Sequence, residues 1–417
     1  MEQNKQPQAG FSTRIISRKF AKPDAHGAIT LPIYKNAAFE FPDSESIAAA
    51  FQYRYELHTY TRISNPTVAG FEDKVKVASG AENVVALASG MAAIANTFMT
   101  IAYAGCNVVA SPHLFGNTFA FFKSTLAEFG VETRFVNTDK LDEVAAAVDQ
   151  NTCAFFCEIL TNPHLEVANL PEIAKIMREK HVPVVIDATV IPWCGFDARA
   201  CGIDLEVVST TKYISGGATT MGGVIVDYGT FDWRHSRKLA KAPQPKGMSQ
   251  FMFKLKSEIA RNMGACITPD TAYMQALGME SLQLRYEKMS DTAYRLAQHL
   301  TRQKKIVTVG YPKLETSAYK KLSDQLFTGN PGAMLTVALE SKEACYKLMD
   351  NLQIIRRATN LFDNKSLAIH PESTIYGTFS QEMKRVIGVQ PELIRFSAGL
   401  ESFEDLANDI DSALSKV

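Results

Sequence analysis

The stretch 205–223, LEVVSTTKYISGGATTMGG, sets a lysine between the end of an apolar run and a glycine-rich turn. Val207 and Val208 read as the close of a buried strand. Ser209, Thr210 and Thr211 follow, and Lys212 stands ahead of Gly216, Gly217, Gly222 and Gly223. Burial at such a junction disfavours the ammonium form and lowers its pKa, so this side chain suits a neutral amine nucleophile. An amine of that kind condenses with an aldehyde to a Schiff base, and the hydroxyls of Ser209 and Thr211 could hold a phosphate carried by the aldehyde. Pyridoxal phosphate carries both groups. A surface lysine in a polar loop is the competing reading of this segment alone.

Other residues fit the same chemistry. Asp187 closes the apolar run VPVVID, where a carboxylate would keep a pyridine nitrogen protonated; a turn or helix cap is its bland role. Asn162, in Thr161-Asn162-Pro163, could cap a loop or donate to a phenolic oxygen of the cofactor. Arg395 lies inside the apolar segment LIRFS and needs a partner if buried. A substrate carboxylate gripped by its two-pronged guanidinium would serve, as would a structural ion pair. Ser89, Gly90 and Met91 follow the short run NVVALA and open an apolar helix, whose first N–H groups favour an anion such as phosphate. Tyr60 and Arg62 project from the extended segment YTRISNPT, broken by Asn65-Pro66.

These positions depend on an alternation of short apolar strands with helices. Strands at 83–88, 107–111, 131–137, 153–160 and 182–187, and the one leading to Lys212, alternate with helices near 91–103, 117–129, 139–149 and 170–180. Such a pattern implies an α/β fold with a mostly parallel sheet covered on both faces, whose ligands gather at the carboxyl ends of the strands. Asn162, Asp187 and the segment 209–212 all fall there. Beyond residue 270 the pattern changes to a long amphipathic helical region over 271–303, a strand near GAMLTVALE, a helix at 341–351, an irregular stretch ATNLFDNKSLAIHPEST, the strand of LIRFSAGLE and an acidic helix. The expected division is an arm over 1–65, a large cofactor-binding domain over 66–269 and a small α+β domain over 270–417. The arm carries Phe39, Phe41, Phe51, Tyr53, Tyr55 and Tyr60 without a core of its own, so a second subunit is the natural surface for it.

Composition narrows the partners. Lysine plus arginine and aspartate plus glutamate number 44 each, so no net field draws the chain to nucleic acid or a membrane. No Asp, Glu, Lys or Arg occurs between Asn83 and Phe122, yet Asn96, Asn107 and the Ser89-Gly90 and Gly105 breaks argue against a membrane span. Seven scattered cysteines without a Cys-x-x-Cys pair imply reduced thiols and a cytoplasmic location. Cys153 and Cys157 would stand roughly 13 Å apart along one strand. The eight histidines do not pair at metal-ligand intervals, so no metal is expected, and the start MEQNKQPQAG shows no secretory signal.

The motifs YTRISNPT, ASGMAAI, HLFGNTF, STTKYISGG, SLAIHPEST and LIRFSAGLE occur in an order that resembles the Cys/Met-metabolism family of pyridoxal-phosphate enzymes, from about residue 27 to the C-terminus. VDYGTFDW and RRATNLFDNKSLAIHPEST look most like its O-acetylhomoserine sulfhydrylases. The resemblance implies fold type I, the aspartate-aminotransferase-like fold with a seven-stranded type of sheet. It implies Lys212 as the cofactor's lysine and Asp187 as the partner of the ring nitrogen. The phosphate would rest on Ser89, Gly90, Met91, Ser209 and Thr211, with Tyr60 and Arg62 reaching the cofactor of a neighbouring subunit in a dimer or homotetramer. Asn162 would lie beside the phenolic oxygen, and Arg395 and Asn360 would hold the substrate carboxylate. Phe115 stands where the family usually has tyrosine: it can stack on the ring but cannot transfer a proton. Ala188, Gly217 and Phe362 also depart, where Asp-Asn, histidine and glycine are usual, and imply a reshaped substrate mouth. The implied reaction is γ-replacement on O-acetyl-L-homoserine with sulfide or another sulfur donor, giving homocysteine and acetate in methionine biosynthesis. A γ-lyase, a cystathionine γ-synthase and a cofactor-binding relative without turnover are the alternatives.

Overall fold

In a computed structural model the chain is described over residues 9–19, 24–52, 54 and 57–417. Tyr53 and Tyr55 of the aromatic cluster, and the start of the arm through Gln8, lie outside the described residues.

Short β-branched runs make the larger sheet. Its strands are β1 (Asn83–Leu87), β2 (Asn107–Ala110), β3 (Glu132–Phe135), β4 (Thr152–Glu158), β5 (Val184–Asp187), β6 (Leu205–Val208) and β7 (Gly223–Asp227). They lie in the order β1-β7-β6-β5-β4-β2-β3. β2 to β6 pair in parallel, and β7 runs antiparallel to both β1 and β6. Period-two alternation sends successive residues to opposite faces. Val85, Leu87, Val108, Phe156, Val185 and Val207 face Ile94, Phe98 and Ile101 of the helix Gly90–Ile101, whereas Val84, Ala86, Val109, Phe155, Ile186 and Val208 join the core on the other side. Because both faces are covered, the strands read as continuous apolar runs. Phe98, Phe122 and Phe156 meet edge-on or tilted at 4.7–5.6 Å, and truncating such a buried ring to alanine costs about 3–5 kcal/mol.

A second sheet follows in the C-terminal part: β8 (Thr308–Gly310), β9 (Met334–Ala338), β10 (Arg356–Arg357), β11 (Leu367–Ile369) and β12 (Leu393–Ser397), in the order β10-β11-β12-β9-β8. It presents Arg395, on β12, toward the first sheet's carboxyl edge through a bond to Asn162.

Four expectations need correction. The helix near 117–129 is three pieces, with a π-helical turn at Phe121–Thr125 between Gly116–Ala120 and Leu126–Glu128. The amphipathic region after 270 is two helices, Pro269–Glu280 and Leu282–Leu300, broken at Ser281. The glycine-rich tail after Lys212 leads into β7, whose first residues, GV, carry little strand signal. The stretch ATNLFDNKSLAIHPEST is not wholly irregular: it holds β11, too short for alternation to show.

Candidate active site

Four strand ends build the site. Glu158 ends β4, Asp187 ends β5 beside it in register, and Ser209 and Lys212 follow β6. β7 enters directly behind the Ser89–Gly90 turn, where a Cβ on Gly223 would meet Ser89 O at 2.2 Å. Gly90 is as tightly fixed: a Cβ there would lie 2.6 Å from Ser209 Cβ and 3.0 Å from its Oγ. Only glycines allow these backbones to approach, and the approach brings the hydroxyl of Ser209 to the N-terminus of the helix Gly90–Ile101. Ser89 caps that helix by accepting from Ala92 N at 3.0 Å, which leaves the N–H groups of Gly90 and Met91 at the open end. The hydroxyl of Thr211 is engaged with Gly222, accepting from its N–H at 3.1 Å.

Lys212 Nζ donates to Asn360 Oδ1 at 2.7 Å. Burial, with the nearby Arg395 charge, lowers its pKa to about 8, against a smaller opposing pull from Asp187. Asp187 accepts from Thr189 N at 2.9 Å, and burial raises its pKa although the Thr189 bonds and Lys212 favour the anion. Arg395 is 2% exposed. It donates to Asn162 Oδ1 at 3.0 Å and to Asn360 O at 3.3 Å, while its Nε has no partner among the described residues. No carboxylate among the described residues meets it, and burial lowers its pKa to about 10. A buried guanidinium held only by neutral oxygens is costly unless an anion arrives.

Two side chains that the motifs did not single out hold the loops in place. Glu158 is 4% exposed, and its carboxylate accepts from Phe115 N at 2.5 Å and Asn162 N at 3.1 Å. Tyr376, fully buried, has its hydroxyl 3.2 Å from Asn162 O and 3.4 Å from Leu114 O. Together they tie the loop that carries Phe115 to the one that carries Asn162. A lone carboxylate inside CAFFCEIL was the available signal for Glu158; Tyr376, in an unpatterned segment, offered none.

The departures from the usual pattern are accommodated in concert. Phe362 has φ 57°, a conformation that favours glycine, and is held there by a ring stack on Tyr213 at 4.2 Å and a bond from its N–H to Ser397 Oγ at 2.7 Å. Gly217 leaves room that Asn364 occupies: a Cβ there would meet Asn364 Nδ2 at 2.9 Å, and that amide donates to Gly216 O.

Lys212, Asn360, Arg395, Asn162, Glu158 and Phe115 therefore form one connected network, with Asp187 beside Glu158 and the Ser209–Gly90 contact next to it. Tyr60 and Arg62 stand apart. Tyr60 is 43% exposed, and Arg62 lies 5.6 Å over its ring while donating to Arg261 O.

Pyridoxal phosphate fits these residues: a tight glycine-lined anion cradle, a lysine held toward neutrality, a half-buried carboxylate lacking a full ionic partner and an arginine with an unsatisfied N–H. Fold and site define a pyridoxal-phosphate-dependent enzyme of fold type I. A profile of the Cys/Met metabolism PLP-dependent enzymes matches residues 12–415, and the chain belongs to that family. It is 35% identical over 400 residues to the O-acetyl-L-homoserine sulfhydrylase 1 of Thermus thermophilus, covering 92% of this chain and 95% of that one. It is 34% identical over 411 residues to Sulfhydrylase FUB7 of Fusarium oxysporum f. sp. lycopersici, covering 94% and 95%. A putative O-acetylhomoserine (thiol)-lyase of Campylobacter jejuni, solved with a pyridoxyl-lysine 5'-monophosphate, superposes with a TM-score of 0.93 at 30% identity, covering 98% of this chain and all of that one. No helix among the described residues is long and apolar enough to cross a membrane.

Proposed function

We propose that this enzyme replaces the γ-acetoxy group of O-acetyl-L-homoserine with sulfide or another sulfur donor, releasing acetate and forming homocysteine. The observation that carries an α-amino-acid substrate is Arg395, which meets Asn162 and Asn360 but no carboxylate among the described residues, one side chain away from Lys212. The sulfhydrylases to which the chain is similar support the choice of leaving group and nucleophile.

When bound, pyridoxal phosphate supplies an aldehyde for the amine and a protonated ring that withdraws electrons from the substrate Cα. Gly90, Met91 and Ser209, with Ser89 and Thr211 shaping the turn, hold its phosphate. Lys212 would be its lysine, Asp187 would pair with its ring nitrogen, Asn162 would serve its phenolic oxygen, and Phe115 would offer a ring to stack on it. Arg395 and Asn360 would orient the substrate carboxylate so that Lys212 Nζ, with its lowered pKa, is placed to move the protons of Cα and Cβ one at a time and to return them once the sulfur has added. Acetate leaves from Cγ without an acid, which suits a phenylalanine at position 115, and the sulfur nucleophile adds at the same carbon.

The exposed side chains of the arm, Ile29, Phe51, Leu57 and Tyr60 among them, support a second subunit that receives Tyr60 and Arg62 at its own phosphate site. On this reading the active unit is a dimer, paired into a tetramer, built from an arm over 1–65, a large domain over 66–269 and a small domain over 270–417. The free cysteines support a cytoplasmic location.

The test is to incubate the purified enzyme with O-acetylhomoserine, with and without sulfide. Homocysteine that appears only with sulfide supports the reading. A 2-oxo acid released at the same rate with or without sulfide would instead identify a lyase.

A further inference from the structure

Cys106 and Cys153 are 47 positions apart, and nothing in their spacing pairs them. The fold does. In the parallel β2–β4 ladder Asn107 stands opposite Thr152 and Val108 opposite Ala154, so Cys153 is the extra residue of a β-bulge. A bulge re-aims a side chain, and here it brings Cys153 Sγ to 3.4 Å from Cys106 Sγ. Side chains pin the irregularity: Asn107 Nδ2 donates to Asp149 Oδ1 at 2.8 Å, and Thr152 Oγ1 donates to Asn107 Oδ1 at 2.8 Å.

The surroundings favour one thiolate in the pair. Tyr103 N–H donates to Cys106 Sγ at 3.2 Å. Lys238, fixed by the carbonyls of Met99 and Ala102 at 2.7 Å each, brings positive charge to both sulfurs. The hydrogen bond between the two sulfurs lowers the Cys106 pKa to about 7, with Cys153 raised in return. Elsewhere burial works the other way, raising Cys194 to about 12 and Cys201 and Cys345 to about 11, so those thiols are inert at neutral pH.

We propose that Cys106 and Cys153 form a peroxide-reactive dithiol that closes to a disulfide across the amino ends of β2 and β4. Cys106 itself is buried, and the half-buried Cys153 beside it is the side from which a small oxidant reaches the pair. The Cys106 thiolate attacks a peroxide oxygen, the O–O bond breaks, and the departing hydroxide takes a proton to leave as water. Cys153 Sγ then attacks the resulting S–OH sulfur and loses its proton; the S–S bond forms, the S–O bond breaks and a second water leaves. Hydrogen peroxide accepts the two electrons, and an added dithiol returns them. The sulfurs must close from 3.4 Å to about 2.0 Å, within reach of small torsional adjustments. The bond forms at the end of the strands opposite Lys212, so the site is distinct from the one that binds the cofactor.

The test treats the cofactor-loaded enzyme with hydrogen peroxide, denatures it in an alkylating reagent and maps peptides without reduction. The proposal expects two fewer alkylated cysteines, one linked peptide joining Cys106 to Cys153, reversal by dithiothreitol, and oxidation about ten-fold or more faster than at Cys194, Cys201 or Cys345. In Cys153→Ser, Cys106 should stop at a sulfenic acid that dimedone traps. Full alkylation after peroxide, oxidation spread evenly over the other cysteines, or a Cys106 in wild type that passes to sulfinic acid without the linked peptide would each overturn it. The wild-type map decides the matter even if the variant does not fold.

Discussion

Glu158 and Asp187 stand side by side in the parallel register of β4 and β5, two carboxyl groups at the edge where the site is built. Both backbone N–H groups bonded to Glu158 favour its anion, yet burial first and the Asp187 charge second raise its pKa from 4.5 to about 8. The pair carries at most one charge at neutral pH, and Glu158 is the member that keeps its proton while its oxygens accept the two loop N–H groups.

This sets a pH dependence. The native Glu158 keeps its proton up to about pH 8, whereas the unfolded chain loses it near 4.5, so the native state binds more protons between those values. Stability of the cofactor-free protein therefore falls as pH rises through that window. Glu158→Gln cannot titrate and should lose this share of the slope. Urea unfolding midpoints from pH 5 to 8 check it; parallel profiles for the two proteins would refute the assignment.

Arg395→Ala removes the cation that awaits a carboxylate. Losing a buried charged partner of this kind costs about 2–4 kcal/mol, roughly 30- to 1,000-fold in kcat/KM for O-acetylhomoserine. Cofactor absorbance should persist, which separates loss of substrate binding from loss of the cofactor.

Phe115→Tyr restores a hydroxyl at the ring. A positioned proton donor contributes about 10²- to 10⁴-fold where the leaving group needs it. The gain should appear with substrates that lose a thiol and be small with those that lose acetate. Equal gains on both classes would show that position 115 does not act on the leaving group.

Phe362→Ala removes the stack on Tyr213 while keeping the unfavourable positive φ. The expected loss is about 3–5 kcal/mol of stability, read as a lowered denaturation midpoint. Phe362→Gly should lose less than the alanine variant, because glycine relieves the backbone strain.

The sheet was legible because both of its faces are covered and its strands announce themselves as apolar runs. Lys212, Asp187 and Arg395 stood out as polar interruptions of such runs. β7 did not, since its opening glycine serves a close approach to Ser89 that only the tertiary structure reveals. Nor did Tyr376: its bonds to backbone oxygens 214 and 262 positions away leave no local trace. Glu158 interrupted its run in the same way as Asp187, but its partners are backbone N–H groups, which have no sequence signature. The Cys106–Cys153 contact depends on a one-residue bulge, a register detail that alternation cannot resolve.

Borohydride reduction of the cofactor-loaded enzyme followed by peptide mapping tests the central claim most directly. The phosphopyridoxyl group should be found on Lys212 and on no other lysine. A label on a different residue, or a Lys212→Ala protein that keeps its visible absorbance and full turnover, would contradict it.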